Sequence, residues 1–350
     1  MYDLEILVPA EGYFTKRFED FRKWGLLNVG DTKIKLVLSA SNDNNKEMFD
    51  GEWPKNVDVE VVISPYKHVA QRIHYYYDSV IKPNTAKWYL RIDEDTINDI
   101  GGLMNNLNNL FDCERDYHLA GALNWDLHFI ERDILNSLGY ESWFKSNESP
   151  AHEHEVSITS NGAMQKILAN DKAKKFFKIR KDIANGFGDQ GLSVCARMEK
   201  VYPIQVKFLT IHPELARFSL FGGMYNHIHW TSRDKNACVL NWLESIDKSK
   251  NDLFEKQILI FHDKRENSRK FITLRPNNTV EEFFLHRQPP NLVGIWGVNR
   301  DDKLTIFLAG HLEKNYPLLV FDASSGSQNI TYSSQNYEMK TGLLSEILDI

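Results

Sequence analysis

Three consecutive acidic residues, Asp93, Glu94 and Asp95, follow the apolar, aromatic-rich run Trp88-Tyr89-Leu90-Arg91-Ile92. A strand built from that run delivers two aspartates, two positions apart, at its carboxyl end. Hard divalent cations take oxygen ligands, and Mg²⁺ or Mn²⁺ is held by one or two carboxylates together with substrate phosphates. Such a cation neutralises charge on a departing diphosphate as a Lewis acid. A solvated acidic turn has the same composition, but the buried strand before it favours the metal.

Three further places carry chemistry. His212 ends the apolar run Val206–Ile211 and is followed by Pro213, which stops a strand there. Its imidazole suits Mn²⁺ beside carboxylates, although a lone histidine at a strand end is also commonly structural. Asn185-Gly186-Phe187-Gly188-Asp189-Gln190-Gly191 puts a carboxylate between glycines at the start of an expected helix, Gln190–Glu199. Asp189 is then a helix cap or a general base for an incoming hydroxyl. Ser160-Asn161-Gly162-Ala163-Met164 offers small residues that leave room for a sugar, or a plain strand-to-helix turn capped by Asn161. His227-Ile228-His229 puts two imidazoles on one side of a strand with no third ligand evident nearby, so packing is favoured. Trp125, Asp126, Trp143 and the stretch 151–155 are candidates for acceptor contact.

The elements that must position these residues alternate in type. Leu4–Pro9, Lys33–Ser39, Val57–Ile63 and Lys87–Ile92 read as strands, with helical spacing in Phe14–Leu27 and Lys67–Ile81. Short apolar strands joined by helices predict a mostly parallel sheet, whose ligands bind beyond the carboxyl ends of its strands. Leu119–Asn124, Val156–Thr159 and Tyr202–Ile211 are further expected strands, and Gly162–Lys175 an expected helix. Glu131–Glu155 shows no periodicity and reads as a loop over the site. Past the charged segment Asp247–Asp252 come short strand-like runs at Gln257–Phe261, Lys270–Leu274, Leu292–Trp296, Leu304–Leu308 and Leu318–Phe321. The expected division is a catalytic domain over 1–250 and a β-rich domain over 253–350.

In their order, these pieces resemble the fringe-like and β1,3-glycosyltransferase group of GT-A glycosyltransferases. The positions that carry the resemblance are Asp93-Glu94-Asp95, Gly162-Ala163, Gly188-Asp189, and His212 with Glu214. It spans about residues 4–220 and lies in order and spacing, not in long identical stretches. The resemblance implies a Rossmann-like mixed sheet that binds a nucleotide sugar, with Asp95 and His212 on Mn²⁺ or Mg²⁺ and Asp93 beside the metal or the donor. It implies Asp189 as the base of an inverting displacement. It also implies nucleotide contacts from Pro9, Ala10 and Glu11, base contacts from Asn42 or Asp43, and Arg72 on the donor diphosphate. Glu94 stands within the donor site on the same grounds. The chain departs from the group in having one glycine before Ala163 and Gln190 where a second acid is usual.

The implied partners are a nucleotide-sugar donor, most plausibly a UDP-sugar, and a saccharide acceptor. Asp93-Glu94-Asp95-Thr96 also looks like the signature of haloacid-dehalogenase-type phosphatases, but those place it on the first strand of the domain. A non-catalytic carbohydrate-binding protein is the other rival, with Trp230, Trp242 and Trp296 as stacking faces. Among 350 residues the net charge of −6, with both signs interspersed, excludes a nucleic-acid footprint. Cys113, Cys195 and Cys238 are too widely spaced for a disulfide framework and indicate a reducing compartment. No apolar run approaches the ~18 residues of a membrane span. The expectation is a bacterial cytoplasmic enzyme of surface-polysaccharide or glycan synthesis, with peripheral contact at the inner membrane face.

Overall fold

In the computed structural model the apolar runs of the first half become β1 (Tyr2–Pro9), β2 (Ile34–Ser41), β3 (Val57–Ser64) and β4 (Ala86–Arg91), with α1 (Val69–Tyr75) crossing between β3 and β4. A short strand β5 (Thr96–Asn98) and helix α2 (Ile100–Leu110) follow, then β6 (His118–Ala120), β7 (Leu123–Asn124) and α3 (Phe129–Ser137). Next come β8 (His152–Glu153), β9 (Ser157–Ser160), α4 (Asn161–Ala169), α5 (Asp171–Arg180), α6 (Gly191–Met198), β10 (Pro203–Gln205) and β11 (His227–His229). The structure describes residues 1–10, 18–19, 21–22, 25–41, 49–94, 96–121, 123–124, 127–144, 152–153, 156–185, 190–206, 208–209, 227–229, 258–263, 268–274, 279–283, 291–298, 300–301, 303–308, 319–322, 331–333 and 337–341.

Seven of these strands form one sheet in the order β10-β6-β9-β4-β1-β2-β3. Every neighbouring pair is parallel except those made by β9, which runs against β4 and β6. This is the expected mixed sheet flanked by helices. Alternation along β1 explains its two covered faces. Leu4, Ile6 and Val8 join Leu36, Leu38, Trp88 and Leu90 in a core shared with Ile100, Leu103 and Leu107 of α2. Leu7, Val37 and Tyr89 face the other way, into a core with Ile73 of α1 and residues of α3 to α6. With apolar layers on both sides, the sheet opens to ligands only at its strand ends.

Packing separates two units, Met1–Ile211 with Asn226–His229, and His212–Tyr225 with Trp230–Ile350. Within the second lies an eight-stranded antiparallel sheet. Its strands are β12 (Ile258–Asp263), β13 (Ser268–Leu274), β14 (Thr279–Phe283), β15 (Asn291–Val298), β16 (Lys303–Leu308), β17 (Leu319–Asp322), β18 (Thr331–Ser333) and β19 (Tyr337–Thr341). A meander runs from β12 to β17, and the β18–β19 hairpin returns to pair with β12. Ile272, Leu274, Val280, Trp296, Val298, Leu304 and Ile306 are buried. Trp296 is fully enclosed, which removes it from the residues able to stack on a sugar; Trp230 and Trp242 lie outside the described residues.

Several local expectations are corrected. Gly162–Lys175 is two helices, broken at Asn170, whose side-chain oxygen accepts from the amides of Lys172 and Ala173 at 2.7 and 3.0 Å and so starts α5. The cap of α4 is Ser160, not Asn161. The expected strand Leu119–Asn124 is split into β6 and β7, and among the described residues of Tyr202–Ile211 the strand is Pro203–Gln205. Residues 131–144, expected in a loop, include α3 and a 3₁₀ turn at Glu141–Phe144, and Glu131 is buried. Among the described residues no helix is long and apolar enough to cross a membrane.

Candidate active site

The carboxyl ends of β1, β2 and β4 lie side by side because these strands are parallel and adjacent. At the end of β1, Pro9 and Ala10 are both buried, and the Ala10 amide donates to the Ser39 carbonyl of β2 at 2.9 Å. Arg72 of α1 is 2% exposed. Its Nη2 donates to the Ala10 carbonyl at 2.7 Å and its Nη1 to the Lys67 carbonyl at 2.6 Å. A planar fork engaged in this way ties the exit of β1 to the turn before α1. The guanidinium expected on a diphosphate is therefore turned onto the backbone that frames the site.

β4 ends in Arg91, and Asp93 follows two residues later. Asp93 Oδ1 lies 3.0 Å from Arg91 Nη2, with the arginine side chain 5% and the aspartate 25% exposed. Chain direction past the carboxylate is fixed by Thr96, whose Oγ1 donates to the Asp93 carbonyl at 2.8 Å and accepts from Asn98 Nδ2 at 3.0 Å. Asn98 Nδ2 also reaches the Gly25 carbonyl at 3.0 Å. Glu94 is buried, so Asp93 is the described carboxylate that this turn presents. Asp95 lies outside the described residues, as do Glu11, Asn42, Asp43, Asp189 and His212.

A second strand borders the acidic triplet. β5 pairs antiparallel with β11, placing His229 opposite Thr96 and His227 opposite Asn98. The histidine pair that had no evident third ligand in the sequence thus runs beside the chain immediately after Asp95. Arg91, Thr96 and Asn98 were missed as site-building residues. The signal for Arg91 was present: a cation inside an apolar strand, two positions from Asp93, projects to the same side as that carboxylate.

Gly162 is not part of this constellation. Because β9 is antiparallel, Ser160 pairs with Trp88 and Ser157 with Arg91, so α4 begins at the opposite end of the sheet from Asp93. The space beside Gly162 is filled by the chain at 113–115: its amide donates to the Cys113 carbonyl at 3.0 Å, and a methyl group there would overlap the Glu114 carbonyl oxygen. A cavity of about 430 Å³ lined by Tyr77, Ile81, Asn84, Gln165 and Lys174, among others, also lies at that end and includes none of the candidate residues.

The residues flanking Asp189 are described. Arg180, fully buried, donates from Nε to Glu131 Oε1 at 2.7 Å, from Nη1 to the Ile183 carbonyl at 2.9 Å and from Nη2 to the Asn185 carbonyl at 2.6 Å. Gln190 Oε1 accepts from the His128 amide at 2.8 Å. Gly191 opens α6 against the ring of His74, where a methyl group would overlap Nε2. His74 Nδ1 donates to the Ala70 carbonyl at 2.7 Å, leaving Nε2 as the unprotonated nitrogen. Burial, reinforced by the nearby Arg180 charge, pushes its pKa down to about 3, so the ring is neutral at physiological pH.

Among the described residues no three metal-ligating side chains converge. No protein-family profile matches the chain, and no characterised protein matches it by sequence. Among solved structures it is similar to the galactosyltransferase LgtC in complex with donor and acceptor sugar analogs, at 12% identity over 66% of this chain and 87% of that one, with a TM-score of 0.38. It is also similar to mouse xyloside xylosyltransferase 1 in its apo form, at 10% identity over 66% and 97%, with a TM-score of 0.39. Neither likeness assigns a role to a residue of this chain.

Proposed function

We propose that the chain is a metal-dependent glycosyltransferase that moves a sugar from a nucleotide-diphosphate sugar, a UDP-sugar in the first instance, to a hydroxyl of a saccharide acceptor. The observation that supports this most is the strand-end constellation. Asp93, partly exposed and paired with Arg91, stands at the end of β4, next to the β1 exit held by Arg72. In an open parallel sheet this is where nucleotides bind. The phosphatase alternative has no such support, since the motif follows a central strand, fourth in the chain, and Thr96 Oγ1 is engaged between Asp93 and Asn98.

Asp93 and Asp95 are hard oxygen donors suited to Mn²⁺ or Mg²⁺, and a partly exposed carboxylate at a strand end fits that cation. The imidazole ligand implied by the resemblance is His212. When bound, the cation stabilises charge on the departing diphosphate. Asp189 takes the proton from the acceptor hydroxyl while that oxygen bonds to the anomeric carbon and the bond from that carbon to the diphosphate breaks, inverting the configuration. Arg72 acts on the donor through the position of Ala10 and not by direct contact. Glu11, Asn42 and Asp43 follow the ends of β1 and β2 in sequence and are retained as nucleotide contacts.

Calorimetric titration with UDP, with and without Mn²⁺, tests the reading. Binding that needs Mn²⁺ and weakens at least about tenfold in Asp95→Ala is the expected result. Metal-independent binding, or full affinity in the variant, removes the metal site; no binding at all removes the UDP-sugar donor.

A further inference from the structure

The cavity of about 430 Å³ at the far end of the sheet from Asp93 takes no part in the proposed reaction, yet its polar groups are oriented. The orientation starts from a backbone amide. The Asn84 N–H donates to Asn161 Oδ1 at 3.3 Å, so the buried Asn161 presents Nδ2 on its other side, and that nitrogen donates to Asn84 Oδ1 at 3.1 Å. Gln165 Nε2 donates to the same oxygen at 2.7 Å. Each side-chain amide is thereby fixed. Two groups are left over beside one another, the Asn84 Nδ2 donor and the Gln165 Oε1 acceptor, neither with a partner among the described residues. Asn84 holds this place at φ +63°, in the left-handed region that asparagine enters more readily than most residues.

Tyr77, Ile81 and Leu168 supply apolar lining. The first two are set by a π turn, Tyr76–Val80, that continues α1 and is closed by the Ile81 amide on the Tyr76 carbonyl at 3.0 Å. Such widened turns recur at functional sites. The charges at the rim are already balanced. Asp78 is paired with Lys181, and Lys174 Nζ lies 3.5 Å from both Asp171 Oδ1 and the Ala169 carbonyl oxygen. A fitting ligand is therefore uncharged, has an apolar face and carries a donor and an acceptor side by side. A pyranose ring has all three, because its C–H face is apolar and each of its adjacent hydroxyls both donates and accepts.

We propose that this cavity is a second saccharide site, in which one hydroxyl of an uncharged sugar accepts from Asn84 Nδ2 and its neighbour donates to Gln165 Oε1. The site lies away from the strand-end constellation and holds a sugar without reacting with it, so it stands or falls independently of the transferase reading.

The test is titration of the full chain with glucose, galactose, N-acetylglucosamine, maltose and lactose, each to about 100 mM. At least one should bind with a Kd on the order of millimolar and slow amide hydrogen exchange over 77–84 and 165–169. Gln165→Leu keeps the helix and removes the acceptor; Asn84→Gly keeps the left-handed backbone and removes the donor. Each should weaken that binding about tenfold, and either serves if the other does not fold. Asp93→Ala should bind the sugar as the native chain does. No binding of any of the five sugars, or full affinity in either folded cavity variant, overturns the site. Sugar binding lost in Asp93→Ala and kept in the cavity variants places the sugar at the strand ends and overturns it equally. Tighter binding of glucuronate than of glucose overturns the uncharged ligand. The Mn²⁺-dependent affinity for UDP should stay within about twofold in both cavity variants, and its absence from the native chain would bear on the transferase reading alone.

Discussion

His74 is an imidazole that the fold keeps neutral. Its pKa falls from an ordinary 6.5 to about 3 because burial penalises the charged form, and the Arg180 charge adds to this. The unfolded chain therefore binds a proton that the folded chain refuses between those two values, and stability from this group is complete above about pH 6.5 and lost as pH falls toward 3. The expected slope is about 1.4 kcal/mol per pH unit in that window. Urea denaturation at pH 7 and pH 4.5 should show a smaller acid loss in His74→Gln than in the native chain; equal losses would mean that another group carries the effect. Asp93 was legible at the same scale, because an acidic residue after an apolar strand needs no partner to be noticed. Arg180 and Glu131 were not: they lie 49 positions apart and nothing local marks either as buried.

For single elements, length and apolar character gave β1 to β4 nearly to the residue: β1, β2 and β4 are largely apolar runs because both their faces are covered, while the edge strand β3 mixes Asp58 and Glu60 with valines and is largely open. Direction is a different matter. The residues of β9 would serve equally well parallel or antiparallel, and only pairing with β4 and β6 decides it. That one reversal moves Gly162 away from the site. Gly162→Ala should accordingly reduce stability by ~1–3 kcal/mol through overlap with the 113–115 backbone and leave the Mn²⁺-dependent affinity for UDP unaltered. A variant of native stability with weakened UDP binding would return Gly162 to the donor site. The break at Asn170 falls inside a helical period that runs across it, and its capping bonds to Lys172 and Ala173 are seen only in the structure.

Across the whole molecule, the β content of the second unit was legible from evenly spaced apolar runs and turns. β14, β18 and β19 were missed because Thr279–Phe283, Thr331–Ser333 and Tyr337–Thr341 mix charged and polar residues with few apolar ones. The core of that unit centres on Trp296. Trp296→Ala should remove ~3–5 kcal/mol from it. Differential scanning calorimetry should show one transition moved down and the other in place; a common shift of both would mean that the two units unfold together.

The order of strands in the first unit has a consequence for synthesis on the ribosome. β3, β2, β1 and β4 are neighbours in the sheet and all lie before residue 92, whereas β9, β6 and β10 complete the other side from residues up to 205. Half of the sheet, with the exits of β1, β2 and β4 already adjacent, can pair while the segment bearing Asp189 is still untranslated. Until β9 arrives, β4 is an open edge on the nascent chain, with the unpaired backbone groups that invite association with another strand.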